Sequence, residues 1–116
     1  PYAISDIALA FITDLFGPPL MLWESAEFAK HSLNAFLALQ IAFVNELARL
    51  APHDVNMADV TRVLKSDPRV SPLAPLTAGP KFGGGSLKRD LLVLETLKPE
   101  APTPIIDAIL VSNDRQ

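Results

Sequence analysis

The chain has 116 residues, a formal net charge of −3 at neutral pH and no cysteine. This length predicts one domain, and the lack of cysteine excludes disulfide bonds, thiolate metal sites and a cysteine nucleophile. The acidic balance argues against a nucleic-acid partner. A hydrophobic content of 49% is high for so short a chain and predicts apolar surface that meets a partner or a neighbouring domain.

Residues 1–24 are predicted to belong to a domain that precedes the rest of the chain. Apolar residues at helical spacing predict a helix over residues 3–15. Residues 20–23 form a short apolar run that suggests one strand, and a lone strand needs a sheet to join. The chain begins at Pro1 without a basic leader. We therefore interpret 1–24 as a remnant of a preceding domain and 25–116 as a helical domain.

The longest predicted element is a helix from Ser25, its expected N-cap, to about Ala51, before Pro52. At ~1.5 Å per residue it is roughly 40 Å long. It is apolar nearly all round, which a small domain cannot bury alone, so we expect a symmetric homodimer through it. Apolar residues at helical spacing form one inward stripe: Ala29, Leu33, Phe36, Leu37, Val44, Leu47 and Ala48.

Three shorter helices are predicted after it. One runs from Asn56, as cap, to about Lys65, and one from Ser86, as cap, to about Lys98. The last is capped by Thr103 and has Pro104 at its first position. Leucines and isoleucines at helical spacing should face inward in the last two helices: Leu87, Leu91, Leu94, Leu97, Ile105, Ile106, Ile109 and Leu110. The predicted fold is therefore all-α, with about five helices around one long central helix.

The loop before Ser86 carries three consecutive glycines, Gly83 to Gly85, and Asp90 lies one helical turn after Ser86. Glycines let another molecule approach the backbone closely, although a simple hinge before a helix is an equally good interpretation. The loop lacks the lysine of a phosphate-binding P-loop, and the chain has no dinucleotide-binding fingerprint.

The two histidines show no ligand pattern, so we predict no metal site. His31 is interpreted as a residue of the helix surface, paired with Glu27 one turn earlier. No uninterrupted apolar run reaches the roughly 18 residues that span a bilayer, so we expect no membrane partner. The lack of cysteine fits the cytosol, so a cytoplasmic location is expected.

Four segments in the right order resemble the UDP-glucose/GDP-mannose dehydrogenase family. The run AEFAKHSLNAFLA (26–38), followed by FVNE (43–46), is similar to the A-E-x-x-K-x-x-x-N-A-F-L-A and F-x-N-E of its long central helix. DPR (67–69) resembles D-P-R-I, GPKFGGGSLKRD (79–90) resembles G-P-G-F-G-G-S-C-F-P-K-D, and SNDRQ (112–116) resembles V-N-D-x-Q. The resemblance implies a central, dimer-forming domain with a fold like the C-terminal domain of 6-phosphogluconate dehydrogenase, placed after a cofactor domain.

The resemblance also implies an NAD-dependent oxidation of a nucleotide-sugar primary alcohol to a carboxylate. Four positions match the family's catalytic residues. Lys30 and Asn34 would stabilise oxyanions, and Asp90 would assist water. Ser86 stands at the position of the aldehyde-capturing cysteine. The positions that match its substrate-binding residues are Arg69, which would reach across the dimer, and Phe82, Gly83 and Gly84.

The sequence departs from the family pattern where Ser86 replaces the cysteine and where Lys88 and Arg89 replace the proline and lysine. A serine hydroxyl without a base is a poor nucleophile, so a degenerate, non-catalytic dimerisation module is the alternative interpretation. A helix-turn-helix DNA-binding protein fits the acidic balance poorly. This chain alone is expected to bind no NAD and to be inactive, because NAD would bind only to a full-length protein.

Overall fold

The computed structural model describes residues 14–15, 23–83 and 85–116. Within these ranges the chain forms no strand, and four helices follow one another: α1 (Trp23–Leu50), α2 (Met57–Ser66), α3 (Ser86–Thr96) and α4 (Pro104–Asp114). The all-α prediction is confirmed for the described residues, where these four helices correspond to the four predicted after residue 24. Of the predicted helix over residues 3–15, the structure describes Asp14 and Leu15, and both are helical. The rest of that predicted helix lies outside the described residues.

α1 begins earlier than predicted. Trp23, assigned by the sequence to a short strand, is its first residue, and residues 20–22 lie outside the described ranges. Ser25 is therefore inside the first turn and is not the N-cap. Glu24 supplies the acidic residue that the positive end of the helix dipole favours in that turn.

The other helix starts follow the sequence to different degrees. Asn56 caps α2 as predicted, because its side-chain oxygen accepts from the Ala58 amide at 2.9 Å. Ser86 does not cap α3; it is the first helical residue, and Gly85 takes the cap position without a side chain. Thr103 occupies the cap position of α4, but its hydroxyl bonds to the Asp107 carboxylate rather than to the backbone. Pro104 is the first residue of α4, as predicted.

The main core lies where α3 and α4 pack on α1 and on each other. Small residues on one face of α1 allow this close approach, and larger side chains of α3, α4 and the glycine loop fill the space between. The buried members of this core are Ala35, Ala38, Ala42, Phe82, Leu91 and Ile109. Leu87, Leu94, Ile106 and Leu110 pack against it as predicted. Leu97 and Ile105, also predicted to face inward, are exposed.

Five bulky apolar residues of α1 form a separate, exposed stripe. At 3.6 residues per turn they share one side of the helix: Phe28, Phe36, Leu39, Phe43 and Leu50. Phe36 was predicted to lie on the inward face and is 55% exposed. Periodicity could not select the buried face because α1 is apolar nearly all round, and the packing partners chose the small alanines instead.

A second cluster attaches α2 to the C-terminal half of α1. Val44 is buried against Ala74 and Leu76 of the segment that follows α2. Three residues of α2 and of that segment complete the cluster: Met57, Leu64 and Val70. The Thr61 hydroxyl donates to the Leu76 carbonyl at 2.6 Å, which ties α2 to this segment.

In length and mean hydropathy, Glu24–Leu50 also meets the criteria of a membrane-spanning helix, a test that core helices of soluble proteins pass as well. Of the most apolar part of this helix, 28% is buried inside the described structure.

Candidate functional site

Two of the residues that matched the catalytic positions, Asn34 and Asp90, come together where α3 crosses α1. Asp90 on α3 is 1% exposed. Asn34 on α1 donates a hydrogen bond to Asp90 Oδ2, and His31, three residues earlier on α1, places Nδ1 at 2.9 Å from Asp90 Oδ1. A buried carboxylate is costly without such partners, so both of its oxygens are bound. The structure thus joins Asn34 and Asp90, residues that are 56 positions apart in the sequence.

Lys30 and Ser86 lie next to these residues along the chain without sharing their bonds. Lys30 is one helical turn before Asn34 and is partly exposed. Ser86 is exposed and one turn before Asp90. Among the residues that the structure describes, neither side chain has a hydrogen bond or ion pair. Both polar groups are therefore open to a ligand, and their catalytic roles stay predictions.

Three side-chain amides hold the backbone of the loop that precedes Ser86. Asn45 accepts from the Gly79 amide at 2.9 Å, and Gln116 donates to the Gly79 carbonyl at 2.7 Å. Asn113 binds both backbone groups of Phe82, at 3.0 Å to its N–H and 2.9 Å to its C=O. The loop has no regular secondary structure of its own, so these amides satisfy backbone groups that a helix or sheet would otherwise pair.

The C-terminal ends of α1 and α4 are joined by polar contacts that also reach this loop. Arg49 donates to the Gln116 side-chain oxygen and to Ser112 Oγ. Ser112 in turn donates to Glu46 at 2.9 Å. Gln116 is therefore held by Arg49 while it holds the Gly79 carbonyl, so the position of the loop depends on α1 and α4 together.

The predicted substrate-binding residues have different surroundings. The side chain of Arg69 is 87% exposed and pairs with Asp67 at 2.8 Å, so it projects from the surface beyond α2. Phe82 is buried in the main core, which leaves its ring no open side, while Gly83 is exposed. Gly84 lies outside the described residues. Binding of a substrate by these residues stays a prediction.

The described glycines of this loop are not required by the fold of the chain itself. A β-carbon placed on Gly79, Gly83 or Gly85 would meet nothing within 4 Å. None of the three has the positive φ that favours glycine. The space beside these three glycines is therefore open among the described residues, and close approach of another molecule stays a prediction.

Outside this site, hydrogen-bonded neighbours shift the pKa values of Asp67, Arg69 and Glu95. The side-chain hydrogen bond from Arg69 lowers the pKa of Asp67, with a further contribution from the Arg69 amide. Between α3 and α4, a side-chain hydrogen bond with Asp107, followed by slight burial and charge repulsion from Asp107, raises the pKa of Glu95.

Sequence reasoning missed two kinds of residue. His31 was interpreted as a surface residue, but its side chain is 13% exposed and packed onto Asp90; its spacing of three from Asn34 was the available signal. Asn113 and Gln116 were noticed only as members of the SNDRQ motif (112–116). The spacing of four that puts Asn113 below Ile109 on α4 could have marked it as a buried polar group.

Comparison with known proteins identifies the group to which this chain is related. The sequence model of the UDP-glucose/GDP-mannose dehydrogenase family, central domain, matches residues 24–115. The UDP-glucose 6-dehydrogenase of Rhizobium meliloti (strain 1021) is 34% identical over 96 residues, 80% of this chain and 22% of the relative. The enzyme of the same name from Pseudomonas aeruginosa is 36% identical over 100 residues, 84% of this chain and 22% of the relative.

The UDP-glucose 6-dehydrogenase TuaD of Bacillus subtilis (strain 168) is 35% identical over 98 residues, 80% of this chain and 21% of the relative. The chain thus spans about a fifth of the length of these relatives. No solved structure matches it significantly. With a match over more than half of its length, the chain belongs to the UDP-glucose/GDP-mannose dehydrogenase family and corresponds to the central domain of that family.

Proposed function

We propose that this domain supplies substrate-contacting and catalytic residues, and a dimer interface, to an NAD-dependent nucleotide-sugar 6-dehydrogenase of the UDP-glucose or GDP-mannose type. The observation that carries the proposal is the bond between Asn34 and Asp90, which brings two motifs from different helices into one buried cluster. The domain division at residues 24 and 25 and a cytoplasmic location belong to the same proposal.

The residues in this cluster suit the acyl chemistry of an aldehyde and its hydrate. An oxyanion that develops on the substrate is stabilised by fixed donors, and the Lys30 ammonium and the Asn34 amide lie one turn apart on α1. Asp90 accepts hydrogen bonds and can orient a water molecule. Ser86 lies where an aldehyde-capturing nucleophile is expected, although a hydroxyl is a weaker nucleophile than a thiolate.

The loop and the surface arginine supply the proposed substrate contacts. Open space beside Gly83 and Gly85 lets a sugar approach the backbone. Arg69 carries a guanidinium on an exposed side chain, and guanidinium groups bind phosphates bidentately. We place the nucleotide diphosphate of the substrate, in the partner copy of a dimer, within reach of Arg69.

The described residues do not by themselves suit NAD. Dinucleotides bind at the carboxyl edge of a βαβ unit with a glycine fingerprint, and within the described ranges the chain has neither a strand nor that fingerprint. In our proposal the cofactor is held by other parts of the enzyme, and no step through NAD is assigned to residues of this domain.

The dimer interface is proposed on the exposed stripe of α1. Phe36 is 55% exposed and Phe43 is 49% exposed. Ile105 of α4, which lines an apolar groove together with Phe43, is 67% exposed. Aromatic side chains in contiguous exposed patches are typical of interfaces. A second copy of this chain, related by a two-fold axis, would bury the same stripe on both partners.

A second candidate function is a dimerisation module without catalysis. Ser86 favours it, because a hydroxyl at neutral pH is protonated and no base contacts it in the described structure. This candidate predicts a dimer that binds no nucleotide sugar.

Substrate binding separates the two candidates. The protein encoded by the complete gene is titrated with UDP-glucose and with GDP-mannose, and binding is followed by saturation-transfer NMR and calorimetry. We expect one of the two to bind, and Arg69→Ala to weaken binding about tenfold through the lost phosphate contact. Arg62→Ala is the matched control, since Arg62 is also exposed and paired to an aspartate. The proposal would be contradicted if neither nucleotide sugar bound at millimolar concentration. It would also be contradicted if Arg69→Ala and Arg62→Ala weakened binding equally.

A further inference from the structure

His31 occupies a position that the family motif leaves open, yet it shares Asp90 with Asn34. The two side chains come from the same helix, three residues apart, and each contacts a different oxygen of one carboxylate. A carboxylate bound at one oxygen can still rotate about its last bond. Binding at both oxygens from one rigid helix fixes the plane of the group.

The chemistry of the pair places a proton on His31 Nδ1. An ionised carboxylate only accepts hydrogen bonds, so the contact at 2.9 Å requires Nδ1 to be the donor. The hydrogen bond at one ring nitrogen sets the tautomer of an imidazole. The described structure thus predicts a specific protonation at Nδ1 of His31, in contrast to an exposed histidine such as His53.

We propose that His31 is a positioning residue of the candidate site, which holds Asp90 through Nδ1 so that the carboxylate keeps one orientation relative to Ser86, one helical turn away. Preorganised groups accelerate a reaction because they do not have to be ordered during it. The catalytic consequence rests on the proposed function. The bond itself does not, because it can be measured in the absence of substrate.

The first test observes the bond in the unmodified chain. The protein is labelled with ¹⁵N, and long-range ¹H–¹⁵N spectra of its two histidines report which ring nitrogen carries the proton. We expect a proton on Nδ1 of His31 and the ordinary preference for Nε2 at His53. In Asp90→Ala, which removes the acceptor, the proton of His31 should no longer be held at Nδ1, and the spectrum of His31 should change. A His31 spectrum that already resembles that of His53 in the unmodified chain, or that Asp90→Ala leaves unchanged, would overturn the proposal.

The second test uses two substitutions that differ in where they place a donor. The amide nitrogen of an asparagine lies near the position of histidine Nδ1, and that of a glutamine near Nε2. In the enzyme encoded by the complete gene, His31→Asn should therefore keep most of kcat. His31→Gln should lower kcat about tenfold while KM stays within about twofold, because orientation and not binding is lost. His53→Gln is the matched control and should have no effect.

The outcomes of the two tests are separable. A general loss of stability would lower kcat in both His31 variants, so equal losses in His31→Asn and His31→Gln would refute the positioning role. Unchanged kcat in His31→Gln would refute it as well. If the unmodified enzyme shows no turnover, the proposed function fails, and the tautomer of His31 alone decides whether His31 holds Asp90.

Discussion

At the scale of single residues, the site consists of groups that were predictable and one that was not. Asn34 and Asp90 were found because the sequence resembles known motifs, and the fold brings them together. His31 was not found, because one histidine on a helix gives no sign of its partner when that partner lies 59 positions away. Long-range pairing depends on how α3 crosses α1, which local patterns do not encode.

The Glu95–Asp107 contact leads to a prediction about pH. The pKa of Glu95 is raised in the folded chain, chiefly by its hydrogen bond with Asp107, so folding favours its protonated form. The contribution of protonated Glu95 to the free energy of unfolding is therefore fully present below the ordinary pKa of a glutamate. It is lost as the pH rises through the pKa of Glu95 in the folded chain. Glu95→Gln keeps a donor towards Asp107 and removes a charge.

We expect Glu95→Gln to increase the free energy of unfolding at pH 7 by roughly 0.5 kcal/mol, the scale of an exposed charge pair, and to have little effect near pH 4. Urea unfolding at the two pH values measures this, with Glu100→Gln, in the exposed segment before α4, as control. Equal effects at both pH values, or a loss of stability at pH 7, would show that the two carboxylates do not interact in this way.

At the scale of elements, helix positions followed the sequence better than helix faces did. The Asn56 cap marked the start of α2, and Pro104 marked the start of α4, because these signals act within a few residues. The buried face of α1 was assigned wrongly for Phe36, since a helix that is apolar all round has no periodicity from which to select a face. The cap at Ser86 also failed, because Gly85 took that position.

The amides that hold the glycine loop lead to a prediction about its stability. Asn113 is buried and binds both the N–H and the C=O of Phe82. Asn113→Ala leaves two backbone groups without these partners, so we expect a loss of roughly 3 kcal/mol in the free energy of unfolding.

Chemical denaturation measures this loss, and hydrogen exchange of the Phe82 amide should become faster by a larger factor than that of amides in the middle of α1. Asp114→Ala, at the exposed neighbouring position, is the control. Unchanged protection of the Phe82 amide in Asn113→Ala would mean that the loop is held by other contacts.

At the scale of the whole molecule, the apolar composition of the chain corresponds to a specific exposed surface. The high hydrophobic content predicted a partner, but only the packing of α3 and α4 on the alanine face of α1 showed which side chains remain uncovered. These include Phe28, Phe36 and Phe43 of α1, so the same helix forms the main core and, in our proposal, the dimer interface.

We expect the chain to have twice its 12.5 kDa mass at micromolar concentration, as measured by light scattering. Phe43→Glu places a charge in the proposed interface and should shift the chain to monomers, because a buried unpaired charge is costly. Val63→Glu changes an equally apolar residue, exposed on α2, and should leave the dimer intact. A monomer at every concentration of the unmodified chain would refute the interface.

The central claim is that this domain carries the reacting groups of a nucleotide-sugar dehydrogenase, with serine at the position of the aldehyde-capturing thiol. A thiolate attacks an aldehyde faster than an unactivated hydroxyl, and a thioester hydrolyses more readily than an ester. In our proposal Lys30 and Asn34 would stabilise the alkoxide of the first oxidation, and that step does not require the thiol, so aldehyde would be released.

The most direct measurement compares the enzyme encoded by the complete gene with its Ser86→Cys variant. The acid formed from the nucleotide sugar that binds is measured at steady state with NAD supplied. We expect Ser86→Cys to raise the rate of acid formation at least about tenfold, while unmodified enzyme accumulates aldehyde. Fast, complete oxidation to acid with Ser86 in place would contradict the claim, as would a lack of turnover in both forms with the dimer intact.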